Sequence, residues 1–505
     1  MPAMSRSADV SGPGLACQGR GYGGGSAALL AAAAIAASTS YVTIFTPANA
    51  AVITGGCVLL AVLAAWRLVP ERPARWAVAV ALLAGLAPQL RRPPIGNVHR
   101  GPLLPAAIGL GVVTGVLLIV GVLAVRRGWL LALLAFASAA AAQVVVVQAS
   151  ARPAIDVWVI FQQATDGLLH GMNPYRMLFT GVPAGQTNNC FNYLPFTLLA
   201  SVPGRVVLGD VRYGELAVML GGAAMLLWAI RRRGVGAAGA AGGAPLAALL
   251  VIMAMSLPGT LRVVQQSWNE SVVLGCLLAA AALLLLDRAW WAVIPLGLAL
   301  ATKQHVVLVL PLWALWPGFG WRRALAAGAL GVVVCLPWLV ADPGRFYGCT
   351  VRFFIDLPAR QDSLSVWKFV PGAARVPAVL GLTAGAYALA WRLLERPPAS
   401  HAGGREGSRP WEAGGAAEHA GGRSDAVHGR PAEAGVAALV FGSGLIFAGF
   451  DLANKQSFEN QWVLACQLLL IGLACHAIEA HGGRRATIPG SPSARTQSRQ
   501  SGVTR

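Results

Sequence analysis

The sequence predicts an all-α fold, a polytopic bundle of transmembrane helices with about 11–14 spans, on the strength of its composition, the shape of its apolar runs and the placement of its charges. Of 505 residues, 56% are hydrophobic and only 12% charged, with a mean hydropathy of +0.62, which is more apolar than a water-soluble domain with a polar surface to cover. The apolar residues gather into runs such as 27–48, 103–125, 129–147 and 272–286, each near the roughly 20 residues that cross a bilayer. These runs are continuous rather than alternating, so they fit helices and not barrel strands. The net charge of +19 would suit a nucleic-acid binder. However, the arginines sit in short clusters at the ends of apolar runs, at 126–127, 231–233, 322–323 and 484–485. That is the pattern left by retention of positive residues on the cytoplasmic side during insertion, and the expected partner is the lipid bilayer, not nucleic acid.

Taken in order, the first 25 residues lack a cleavable signal sequence and read as a disordered tail (1–25), so the run from Ala27 reads as a retained first span. Candidate spans 26–48, 51–66, 76–90, 103–125 and 128–149 form an N-terminal group (26–149). A first outer loop with a re-entrant segment follows (150–212); its part 191–212 holds Pro195 and Pro203 and reads as a piece that does not cross. Spans 213–230, 243–258, 270–286, 289–302, 304–317, 324–341 and 375–393 form a core (213–393) with a second outer loop at 342–374. The stretch 394–433 is too poor in large apolar residues to form a core and reads as a disordered cytoplasmic loop. Two C-terminal spans, 434–450 and 460–478, lie in a region bounded by 434–478, and a disordered cytoplasmic tail closes the chain at 479–505. This bookkeeping puts Arg231–Arg233, Arg288, Arg322 and Arg323 inside and leaves Arg91, Arg92 and Arg100 outside, through either a miscounted early span or a basic patch at the outer headgroups.

Eight cysteines show no C-x-x-C and no Cys/His cluster at metal spacing, so no metal and no cofactor are expected. Cys190 and Cys349 alone fall on outer loops where oxidation is possible, but spacing says nothing about their distance. Both outer loops are rich in aromatics, Asp, Arg and Asn, the composition of folded functional loops. Asp156 opens a helix-like stretch just past a span; such an acid either caps a helix or has chemistry to do.

An Asp after an apolar span, then Gly171-x-Asn173-Pro174-Tyr175, then Phe191, Asn192, Tyr193, Leu194 and Pro195, resembles the polyprenyl-phosphate-mannose-dependent mannosyltransferases of the GT-C superfamily. Further elements follow in order. Arg262 to Asn269 resembles that family's Gly-Gln-x-Asn turn, with Gln266 only approximately where the glutamine would be. Gly297 to Lys303 resembles its Gly-x-x-x-x-x-Lys segment, and Arg360 to Leu364 its late-loop Asn-Gln-Ser-Leu element. The resemblance covers roughly 155–470 and leaves the first 125 residues unaccounted for.

The Gly, Ala and Arg bias points to a high-GC bacterial source, so the expected membrane is a bacterial plasma membrane; the resemblance implies a GT-C-like fold with the site on outer-face loops. It implies transfer of a sugar, mannose or a relative, from a polyprenyl-phosphate donor to a glycolipid or cell-envelope glycan acceptor. Asp156 would be the general base that takes the acceptor hydroxyl proton, with Asp166 its competitor. A dianionic leaving group needs cations: Lys303 first, then Arg262, His305 and Arg352. Asn173, Tyr175, Tyr193, Gln265, Gln266, Trp268, Asn269 and Arg360 would contact sugar or acceptor, with Tyr175 and Trp268 the expected stacking rings. Each has a plain structural alternative. Lys303 can snorkel, Trp and Tyr collect at membrane interfaces, and an Arg in an exposed loop needs no explanation. Asp342 and Asp356 are candidates for a second acidic role, and His170 reads as structural. A polytopic transporter or flippase is the alternative function, and a noncatalytic scaffold a third; the apparent lack of internal repeats and the span-end placement of Asp156, Lys303 and Asp342 favour the enzyme.

Overall fold

The computed structural model describes residues 23–39, 46–66, 68, 73–91, 103–124, 128–183, 189–235, 243–257, 259–358, 363–395 and 435–482. These residues are helical, with no strand among them. The tail 1–22, most of 394–433 and 483–505 lie outside them, as does Arg360.

In chain order the helices are α1 (Gly23–Thr39), α2 (Pro47–Ala65), α3 (Arg75–Arg91), α4 (Leu103–Leu123), α5 (Gly128–Ala149), α6 (Asp156–Leu169), α7 (Phe196–Leu208), α8 (Val211–Val235), α9 (Gly243–Met255), α10 (Thr260–Gln265), α11 (Glu270–Leu285), α12 (Val293–Leu300), α13 (Leu310–Leu315), α14 (Trp321–Ala341), α15 (Pro343–Tyr347), α16 (Phe353–Asp356), α17 (Arg375–Leu394), α18 (Val436–Ala453) and α19 (Glu459–Gly482). Eight of these stretches are long and apolar enough to cross a membrane, which makes the chain a multi-pass membrane protein. In α18 and α19, 89% of the apolar stretch is buried, against 11% in the stretch containing α17 and 22% in α2 and α14, so α18 and α19 lie at the centre with the almost wholly buried α9 and α11, and the less buried α2, α4, α5, α14 and α17 form the rim. The rim turns Val58, Val62, Val116, Leu133, Leu325, Val333 and Leu380 outward, a surface that suits lipid and not water.

Two ends can be told apart. At one, Arg212 at the start of α8 donates to the Val147 carbonyl of α5 and the Gln265 carbonyl of α10, and Asn460 at the start of α19 reaches Glu270 at the start of α11. At the other, Arg231–Arg233, Arg288, Arg322 and Arg323 gather beside exposed Trp228, Trp290, Trp291 and Trp321. Guanidinium groups there lie over the rings of Trp228, Trp290 and Trp321 at 5.2–5.5 Å, an arginine and aromatic belt of the kind found at membrane interfaces.

Two expectations change in detail. The runs 26–48 and 51–66 divide differently: α1 ends at Thr39, and α2 starts at Pro47 because Thr46 caps it and proline suits the first turn. The pair 289–302 and 304–317 is a short broken hairpin rather than two full spans. Lys303 is extended (φ −149°, ψ 136°), 304–309 winds as a 3₁₀ helix, and only six residues of α13 follow. The segment 191–212 contains α7, whose 13 residues span about 20 Å at 1.5 Å each, less than a bilayer core. Thr197, Leu198, Ser201 and Gly204 of α7 face inward, while Leu199, Val206 and Val207 are exposed.

The first end carries a cap. Helix α6, the 174–176 turn, Phe191 and the 346–349 stretch share a small apolar core of Val157, Ile160, Phe161, Tyr175, Phe191, Leu198 and Phe346. A Cys190–Cys349 disulfide closes it, with 5.4 Å between Cα atoms.

Candidate functional site

Helix α11 begins at Glu270, and the eight-residue α12 ends at Leu300, just before Thr302 and Lys303. Glu215 and Glu270, 1% exposed, and Asp451, 2% exposed, are brought there by α8, α11 and α18. An ionisable group in such a place is costly unless it has partners or a job.

Glu270 has both kinds of neighbour. Its Oε1 is held by the Lys303 ammonium, which is 12% exposed, and accepts from Asn460 Nδ2 at 2.6 Å. Its Oε2 is enclosed without a protein hydrogen bond among the described residues, as are Asn460 Oδ1, Asn269 Oδ1 and Glu215 Oε2. Glu215 accepts from Ser267 Oγ at 2.8 Å and lies 3.5 Å from Ser201 Oγ on α7. Ser267 sits at φ 58°, a left-handed conformation that turns the chain sharply between α10 and α11 and aims its hydroxyl inward. Asn269 donates to Thr197 Oγ1 at 3.2 Å and to the Thr302 carbonyl at 3.3 Å, joining α7 to the hairpin tip.

Asp156 starts α6, and its carboxylate accepts from the Val157 N–H at 2.9 Å. It stands on the cap side of this network. The common neighbour is Tyr193, whose phenol is pushed well above its ordinary value by burial first and then by the negative fields of Asp156, Glu270 and Glu215. At neutral pH Tyr193 is therefore a neutral O–H. Its ring packs edge-on to Phe161 at 4.7 Å. Arg212, 1% exposed, fixes the first turn of α6 indirectly: it donates to both oxygens of Asp210, whose Oδ2 also accepts from Trp158 Nε1 at 3.3 Å, and it lies 5.7 Å over the Trp158 ring.

The remaining candidates divide. Arg262 pairs with Glu459 at 3.1 Å and lies 5.9 Å over Trp268. Glu459 precedes Asn460, so the first turn of α19 links Arg262 to the Glu270–Lys303 pair. His305 packs edge-on to Phe447 beside Lys303. Arg352 points away, 71% exposed and paired with Asp356 on its own helix at 3.1 Å. Gln265 and Gln266 are buried side by side, with Gln266 Nε2 donating to Gln265 Oε1 at 3.2 Å.

Asn173 caps the 174–176 turn through its Oδ1, leaving Nδ2 enclosed without a partner among the described residues. The stacking role expected of Tyr175 does not fit its place: the ring is 1% exposed, packed on Phe191 and Phe346, and its hydroxyl donates to the Tyr193 carbonyl at 2.9 Å. Asp166 is held by two hydrogen bonds from Arg205, at 2.6 and 2.9 Å. His170 Nδ1 lies 2.7 Å from the Asp166 carbonyl. Asp342 pairs with Arg176 and caps α15. Among the described residues no three His, Cys, Asp or Glu side chains lie together as metal ligands would.

Sequence reading passed over Glu215, Asp451 and Arg212. A signal existed for each, since all three are ionisable residues at the edge of apolar runs, where such residues need a reason. Compared with family models, curated proteins and solved structures, the chain matches none.

Proposed function

We propose that this protein is a membrane glycosyltransferase that moves a sugar, mannose by its resemblance, from a polyprenyl-phosphate donor to a hydroxyl of a glycolipid or cell-envelope glycan, on the outer face of a bacterial plasma membrane. The observation that carries the reading is the gathering of Asp156, Tyr193, Glu215 and the Glu270–Lys303 pair under one closed cap. The acceptor oxygen bonds to the anomeric carbon as the bond from that carbon to the phosphate oxygen breaks. The hydroxyl proton passes to Asp156, and polyprenyl phosphate leaves with the bonding electrons.

An alcohol is a weak nucleophile at neutral pH, and a carboxylate in reach of its proton removes that obstacle. The leaving phosphate needs positive charge close to the membrane. Lys303, oriented by Glu270, supplies it, and Arg262, linked through α19, stands second. The enclosed oxygens of Asn269, Glu270 and Asn460 have acceptor capacity that sugar hydroxyls would use. The Cys190–Cys349 bond supports the outer-face assignment, because such bonds persist in oxidising compartments.

The test is incubation of the purified protein with polyprenyl-phosphate mannose and a lipid acceptor. Release of polyprenyl phosphate together with a mannosylated acceptor is expected. Movement of the intact lipid-linked sugar across proteoliposomes with no release would overturn the reading in favour of a flippase.

A further inference from the structure

Away from the polar network, the stretch that follows α14 forms one continuous helical rod from Pro343 to Asp356, with a π turn at Gly348–Arg352 between α15 and α16. It has three faces. Phe346, Cys349 and Thr350 are buried against the cap. Tyr347, Val351 and Ile355, four residues apart, point outward with 52%, 41% and 64% of their surface exposed. The third face, with Arg345, Arg352 and Asp356, lines a cleft of about 610 Å³ whose far wall is Asn189 and the disulfide.

The position of this rod is informative. Helix α14 exposes Leu336 and Val340 almost to its last residue, so its apolar surface runs up to the point where the rod begins. An apolar stripe beside a cationic face, at the end of a membrane-length helix, is the arrangement of a helix lying in the headgroup layer. Of the two cations, Arg352 is partnered by Asp356, whereas Arg345 enters no ion pair within 4 Å among the described residues.

We propose that the 343–356 rod lies on the membrane surface with Tyr347, Val351 and Ile355 in the acyl boundary, and that its Arg345–Arg352 cleft takes the phosphate of an anionic lipid headgroup. The inference does not rest on the sugar-transfer reading, since a carrier or scaffold would bind lipid there equally. A phosphodiester fits the cleft because a planar guanidinium offers paired donors to phosphate oxygens.

The test uses the full chain in detergent, titrated with short-chain phosphatidylglycerol, short-chain phosphatidylcholine and inorganic phosphate, with bound lipid counted by native mass spectrometry. The expected result is phosphatidylglycerol binding that weakens roughly tenfold or more in Arg345→Gln, where one charge-assisted bond is lost. Val351→Ser/Ile355→Ser keeps both arginines and is expected to weaken the lipid but not inorganic phosphate. Phosphatidylglycerol binding unchanged in Arg345→Gln, equal binding of phosphatidylcholine, or displacement of the lipid by equimolar inorganic phosphate would each overturn the proposal. Arg345 is exposed and makes no side-chain hydrogen bond among the described residues, so its loss should leave the fold intact; unchanged circular dichroism and an intact disulfide check this.

Discussion

Burying Glu270 beside Lys303 strips water from two charges, and their attraction offsets that only while both are present. Lys303→Met should therefore destabilise the protein by about 3–5 kcal/mol, as breaking a buried pair does, while Lys303→Met combined with Glu270→Gln should cost less than the single change. A double-mutant cycle on thermal unfolding in detergent measures the difference; additive losses would mean that the two groups do not act as a pair. Asp342 gives a second residue-scale test. The backbone N–H of Arg345 first, and then the Arg176 side chain, hold its carboxyl below the ordinary value of 3.8. A depressed carboxylate contributes stability above its unfolded value and loses it as pH falls through the folded one. The gap in unfolding temperature between the protein and Asp342→Asn should thus be constant above about pH 5 and close at lower pH. Residue type and order pointed to Asp156, Lys303 and Arg262, because an ionisable group at a span end stands out in any apolar chain. Their partners did not stand out, since Glu270 meets Asn460 across 190 positions and no local pattern encodes that meeting.

At the scale of elements, close packing between helices depends on small residues. A Cβ on Gly222 of α8 would lie 2.1 Å from the Gly275 carbonyl oxygen of α11, and one on Gly275 would lie 2.4 Å from the Val218 carbonyl oxygen. Gly222→Val should force these helices apart and destabilise by about 1–3 kcal/mol or more. Gly55→Ala on α2, where a Cβ meets nothing within 4 Å, should not; equal loss in both variants would contradict this packing. The cap depends on a cross-link between positions 159 apart, so Cys190→Ser should lower stability by about 2–4 kcal/mol and abolish the mobility difference between reduced and oxidised protein on a denaturing gel. The start of α6 at Asp156 was legible because an acid at the head of an apolar, periodic stretch is a helix-start signal. The hairpin at 289–317 with Lys303 at its turn was legible, but the shortness of its arms was not, because an apolar run reads the same whether it winds as full helices or as short α and 3₁₀ pieces. What interrupts it is tertiary: the Ala301 carbonyl accepts from the Phe196 N–H, and Gln304 donates to the carbonyls of Asn192 and Thr350.

Across the whole molecule, apolar rim, buried α18 and α19, and an arginine and tryptophan belt at one end make a membrane bundle whose Glu270–Lys303 network lies at the opposite end. The bundle was visible in composition and run length, since burial in lipid leaves a one-dimensional trace. The polar interior was visible only as scattered candidates, because its geometry comes from helices far apart in the chain meeting and from a disulfide that spacing does not fix. The proposed chemistry gives the acceptor's proton to Asp156, the carboxylate on the cap side of that interior. Release of polyprenyl phosphate from a polyprenyl-phosphate sugar, measured side by side for the unmodified protein and for Asp156→Asn, tests this most directly. Release reduced by about 10²–10⁴-fold is expected in the variant, with its unfolding temperature and its Cys190–Cys349 bond unchanged. Release at the full rate from folded Asp156→Asn would contradict it.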